Sequence, residues 1–126
     1  MGVVHHSNHV IYFERARIEY MREKNMHWHD RPIDPMSFAV SAIAVKYLKT
    51  ASFDDELQVW TQARIVRARI HFQYALFSKS LKSFIALGTT ELIALGKDFK
   101  PKRVPNDLVD ALHAQVWDEV WPPQLE

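Results

Sequence analysis

An α+β domain, with one long helix lying on a single face of an antiparallel sheet, is the fold class this sequence predicts. Two observations lead there. Helical periodicity runs from about Asn8 to Asn25, and four segments of strand-like alternation follow it. Burying one long helix against a run of strands is an α+β solution. The 126 residues are expected to form a single domain over 1–126, long enough for one core and not two.

The elements follow in order. Ser7 and Asn8 are good helix starters, because a short side-chain oxygen accepts a bond from a first-turn amide. Val10, Phe13, Ala16 and Tyr20 then recur at helical spacing with Met21 beside them, while Arg15, Arg17, Glu19, Arg22, Glu23 and Lys24 form the wet side. His27 to Pro35 reads as a loop, since Pro32 and Pro35 cannot continue a helix. Met36 to Lys49 is a predicted strand, apolar on both sides and so expected to be covered on both. Leu57 to Val66 alternates Leu57, Val59, Thr61, Ala63 and Ile65 against Gln58, Trp60, Gln62 and Arg64. Ile70 to Ser78 and Ser83 to Leu95 are the remaining strands, the last broken by Gly88, which marks a bulge or a close backbone approach. After the basic connector KDFKPKRVP, Asn106 or Asp107 caps a short helix expected over about Leu108 to Val116. Its apolar side is Leu108, Val109, Leu112 and Val116.

Composition narrows the function classes. A net charge of +1 without a dense basic stripe argues against nucleic acid as the main partner. There is no cysteine, so a thiol nucleophile is excluded. No apolar run approaches the ~20 residues that cross a bilayer and no leader pattern opens the chain, so a cytoplasmic protein with no membrane span is expected.

The most informative stretch is GVVHHSNHVIYFERAR, residues 2–17. A helix start preceded by small and imidazole side chains is a place where partial positive charge meets a ligand carbonyl or oxyanion. His5, His6 and His9 raise the possibility of a metal site, but no HExxH motif is present and no metal or cofactor is expected. His27, His29 and Asp30 read as a surface cluster.

The same stretch resembles the signature of the hotdog-fold acyl-CoA thioesterases, the 4-hydroxybenzoyl-CoA thioesterase family and its Tol–Pal-associated relatives. Gly2, Val3, Val4, His6, Asn8, Tyr12, Phe13, Glu14, Ala16 and Arg17 fit that pattern, and His9 stands where Tyr is usual. The resemblance implies a long central helix wrapped by a curved antiparallel sheet, and a homodimer or dimer of dimers with joined sheets. It implies an acyl-CoA substrate touched by Val4, His5, Ser7, Asn8, His9 and Tyr12. The family's catalytic Asp would lie three positions before Gly2, beyond Met1, so the chain is expected to lack that Asp and the first strand.

With that Asp absent, His6 and Glu14 are the candidate catalytic residues. His6 either orients water and donates to a developing oxyanion or is a packed polar residue at a helix start. Glu14 shares a helix face with Ile11 and Ile18. It is either a base, as in another branch of hotdog thioesterases, or paired to Arg15 or Arg17. Ser7 has no GxSxG elbow to make it a nucleophile, and Tyr12 faces either the pocket or the core. Arg64, Arg67, Arg69, Lys97, Lys100, Lys102 and Arg103 are candidates for holding a phosphorylated substrate. The resemblance singles out Arg67 and Arg69, which stand in the turn where relatives hold CoA phosphates. The implied activity is hydrolysis of an acyl-CoA thioester. The alternatives are a non-catalytic acyl or CoA binding module and hydration of an enoyl thioester.

Overall fold

The structure, a computed structural model, describes residues 6–24, 37–50 and 55–123, the first three of them by main chain alone. Val4, His5 and the His27–Pro35 segment lie outside those residues. The elements are α1 (His6–Glu23), β1 (Ser37–Tyr47), β2 (Leu57–Val66), β3 (Arg69–Ser78), β4 (Ser83–Leu95) and α2 (Asn106–His113). The strands form one antiparallel sheet in the order β1-β4-β3-β2. Strand pairing pins the side-chain faces, because residues directly opposite share a face.

One face carries the core. Ile70, Phe72, Tyr74 and Leu76 of β3 are fully buried there, beside Ala63 of β2 and Leu92 and Ala94 of β4. α1 crosses this face and locks on at one point. The Phe13 ring stacks on Tyr74 with centroids 4.9 Å apart and sits against Gly88, where a β-carbon would come within 2.5 Å of it. Gly88 therefore marks a close approach, and the register irregularities lie elsewhere, between Val40 and Ala42 and between Leu76 and Phe77. Further along α1, Tyr20 meets Phe72 edge-on and Met21 is buried. α2 adds Leu108 and Leu112 to the same core.

Three expectations are corrected. α1 starts at His6, so Ser7 and Asn8 sit inside its first turn and not at the cap position. His9, not Val10, opens the buried stripe, at 3% against 36% exposure, because positions 9, 13, 16 and 20 align over Tyr47, Gly88 and Phe72. α2 ends at His113, so Val116 falls beyond the helix and is 86% exposed. Pro105, whose fixed φ suits a helix start, occupies its N-cap without a side-chain cap bond.

β1 departs most from expectation. It is exposed on both faces along most of its length, because α1 runs over β3 and β2 and leaves it uncovered. Ser41 is the extra residue in its bulge. Its Oγ lies 3.1 Å from both the main-chain oxygen and Oε2 of Glu91, to which Arg69 donates at 3.0 Å and His71 stands at 3.6 Å. On the outer face of β2 and β3 a C-terminal strap is tied down. Gln62 bonds both main-chain groups of Asp118 at 2.9 and 2.8 Å, Arg64 stacks on Trp117, and Trp121 donates to the Tyr74 carbonyl.

Replacing Gly88 by Ala is expected to destabilise the fold by about 1–3 kcal/mol, since the Phe13 ring has no room to yield against Tyr74. Urea unfolding measures this, and a second change, Phe13→Leu, should recover part of the loss. A second expectation concerns acid. Burial raises the Glu91 carboxyl, but hydrogen bonds from Ser41 and Arg69, with the charges of Arg69 and His71, outweigh it and hold the group below its ordinary 4.5. A carboxyl lowered in the folded state contributes stability above its ordinary value and loses it as pH falls through the folded one. Unfolding followed from pH 6 downward should therefore show a decline below about 4.5 that is flatter in Glu91→Gln. Identical slopes would show the Ser41–Glu91–Arg69 contacts to be energetically idle.

Candidate active site

Helix α1 leaves the amides of its first turn without intrahelical partners, and they carry the positive end of its dipole. Where that end lies is set by His9. Its ring meets Tyr47 edge-on at 5.0 Å and Tyr12 at 6.5 Å, which brings the start of α1 to the C-terminal end of β1. The inner face of β1 runs away from this point. Register places Val40, Ile43, Val45 and Tyr47 on it, opposite Leu92, Thr90, Gly88 and Ala86. Val40, Ile43 and Tyr47 are 49%, 51% and 43% exposed. The helix end therefore opens onto an apolar strip of sheet that the described residues cover only in part: Val45 packs against the core and His9 meets the Tyr47 ring, while Val40 and Ile43 stand open.

Each candidate has a definite place. His6, Ser7 and Asn8 form the first turn of α1. His9 is buried as a packing residue between α1 and β1. Tyr12 packs against the core and also lines a cleft of about 390 Å³ between α1 and β2. That cleft has Ala16, Val59 and Thr61 in its wall and the charges of Arg15, Glu19 and Glu23 around it. Glu14 is exposed with Ile11 and Ile18 on the outward face of α1, where a carboxylate stays solvated, so the expected burial of that face is not found. Among the described residues Glu14 makes no ion pair. Arg17 is half-buried and turns to the Tyr74 hydroxyl, which lies 2.7 Å from Thr90 Oγ1. Burial pushes the Tyr74 phenol up, and Thr90 and Arg17 offset part of that.

The basic candidates separate. Arg67 sits in the β2–β3 turn with φ 58°, beside Arg103 and Asn106 around a cavity of about 420 Å³. Arg69, two residues on, is the first residue of β3 and is bound to Glu91. Arg64 is committed to Trp117 and Glu119. Arg67, Lys97, Lys100 and Arg103 share the end of the sheet where β4 finishes, and the start of α1 lies at the other end. From Ala86 to Ile93 of β4 that is roughly 23 Å at the rise of an antiparallel strand. One copy of the chain does not bring its helix end and its basic end together. Sequence reasoning passed over Phe99, which is 78% exposed at the tip of the basic connector with φ 61°. The signal was an aromatic residue set among lysines, with Gly96 and Pro101 on either side of it.

Comparison with known proteins accords with this architecture. The chain is 33% identical over 114 residues to the acyl-CoA thioesterase YbgC of Haemophilus influenzae, covering 89% of this chain and 83% of that one. Its fold matches the DHNA-CoA thioesterase of Staphylococcus aureus with a TM-score of 0.78 at 28% identity, over 88% of this chain and 77% of the other. A thioesterase from Thermus thermophilus, solved with coenzyme A and Zn, shares the fold at a TM-score of 0.71 and 21% identity, over 90% and 81% of the two chains. Residues 1–112 match the thioesterase-like superfamily, and the chain belongs to that family.

Proposed function

We propose that this protein hydrolyses an acyl-CoA thioester to the free acid and CoA, with the thioester carbonyl held by the first-turn amides of α1. One observation carries the reading. The positive end of the helix opens onto the partly open apolar strip of Val40, Ile43 and Tyr47, so a carbonyl at the amides has an apolar surface for its acyl group beside it. Family membership and the activity named for the Haemophilus relative support it.

Water adds to the thioester carbon as it gives a proton to His6. The oxyanion is held by the amides of His6, Ser7 and Asn8, and the carbon–sulfur bond then breaks with the proton passing to the CoA sulfur. Amides fixed in a helix need no reorganisation to meet that charge. His9, buried between Tyr47 and Tyr12, seats that first turn at the end of β1. Glu14 is eight residues beyond His6, about 12 Å at the helical rise, which is too far to act on the same water.

The site is completed by a second copy. β1 is an eleven-residue edge strand with exposed apolar side chains, a surface that natural sheets pair or cover. Antiparallel pairing of two β1 strands gives a homodimer with one continuous sheet. Its two-fold axis brings the basic end of one copy to the same end of the shared sheet as the helix start of the other, with Arg67 three to four strand spacings, roughly 15–19 Å, across from it, while Arg69 stays with Glu91.

Two outcomes test this. With a thiol reagent following CoA release, His6→Ala is expected to lower kcat about 100-fold, and Glu14→Gln to stay within about threefold. The reverse pattern would move water activation to Glu14, and no CoA release by the unaltered protein from short, aromatic or long acyl-CoAs would end the reading. Ile43→Lys should turn a dimer into a monomer in sedimentation and abolish hydrolysis. A fully active monomer would remove the shared site.

A further inference from the structure

The turn from Gly96 to Arg103 is closed by its own main chain. Gly96 donates to the Lys100 carbonyl, Phe99 to the Gly96 carbonyl and Lys102 to the Ala94 carbonyl, each at 2.9 Å. Pro101 bridges back to Leu95, and Lys100 N–H donates to Asp98 Oδ1. This rigid frame holds Phe99 in left-handed backbone, which costs free energy for a bulky residue, and presents its ring 78% exposed. Nothing in the core needs that ring. Lys97 and Lys100 flank it, Arg103 follows, and Arg67 stands at the same end of the sheet in a second strained turn. The one acid of the turn, Asp98, is occupied with the Lys100 amide.

An exposed aromatic face on a turn that also carries two lysines and an arginine suits a purine nucleotide. The base stacks on the ring, and phosphates meet guanidinium and ammonium groups. We propose that Phe99 is the platform for the adenine of CoA, with Lys97, Lys100, Arg103 and Arg67 around its phosphates, and that it serves the α1 end of the partner copy. This rests on the hydrolase and dimer readings above. β4 leaves the sheet next to Ser37 of β1, so antiparallel pairing of two β1 strands sets this turn about two strand spacings, roughly 10 Å, from the partner's strand end at which α1 begins. Within one copy the same two points stand at opposite ends of the sheet. The pantetheine arm then spans from one copy's nucleotide platform to the other's helix.

The test compares two substrates with one acyl group, an acyl-CoA and the N-acetylcysteamine thioester, which lacks the nucleotide. Phe99→Ala is expected to raise KM for the acyl-CoA about tenfold, from the loss of one stacked base, and to leave KM for the short thioester at its wild-type value. Phe99→Trp should retain tight acyl-CoA binding. Equal shifts on both substrates, or none on either, would overturn the assignment. Loss of binding to phosphatidylglycerol vesicles with an unchanged acyl-CoA KM would do so too, by giving the turn to a membrane surface. If the unaltered protein cleaves neither substrate, the hydrolase reading fails, and the platform is judged by calorimetry with free CoA and pantetheine. There Phe99→Ala must weaken CoA about tenfold and pantetheine not at all, and equal CoA binding by both proteins refutes it. Mixing Phe99→Ala with His6→Ala chains tests the two-copy geometry. A heterodimer regains one intact site if the residues act across copies, and recovers nothing if they act within one.

Discussion

The contact between the Phe13 ring and the bare backbone of Gly88 decides where everything else lies. A helix can ride a sheet closely only where a side chain is missing, and this is the place on β4 where one is missing beneath α1. Stacking on Tyr74 fixes the ring in that notch, and Tyr74 is itself held by Thr90 and neighboured by Arg17. With the helix seated there, its later turns fall over β3 and β2. Its first turn reaches the end of β1 and no further. The partly open strip of β1 follows from that seating, and so does the position of the helix dipole beside it.

Charge is arranged along the same axis. Partial positive charge gathers at the start of α1, without an acidic side chain in the first turn to neutralise it. Full positive charge gathers at the opposite end of the sheet, on Arg67, Lys97, Lys100 and Arg103. A thioester of CoA has a weakly polar carbonyl at one end and several phosphates at the other, and the chain offers a matching pair of surfaces. In one copy they stand at opposite ends of the sheet, and the proposed antiparallel pair would bring them together. Arg69 and Glu91, by contrast, are spent on holding the bulge in β1.

Much of this was legible in the letters, for identifiable reasons. Strict alternation predicts β2 at Leu57–Val66, and the strand has those bounds. The helix and its Phe13, Ala16 and Tyr20 stripe were plain from spacing. The covering of β1 was misjudged, since an apolar strand reads the same whether its own helix or another molecule shields it. Ile11 and Ile18 beside Glu14 predict a shielded face, yet that face is open. Arg67 and Arg69 look like a pair at a spacing of two, but the left-handed backbone at Arg67 breaks the strand geometry between them. The Phe99 tip was hidden because its exposure depends on a turn closed by main-chain bonds, which leave no periodic trace.

The central claim is that a thioester carbonyl is received by the amides opening α1, against the partly open inner face of β1. Amide chemical shifts recorded while a non-hydrolysable ketone analogue of an acyl-CoA is titrated in address it directly. The largest changes are expected at the amides of His6, Ser7 and Asn8, with smaller ones at Ile43 and Tyr47. Changes confined to the α1–β2 cleft, at Ala16, Tyr20 and Thr61, with the first turn of α1 unmoved, would contradict it.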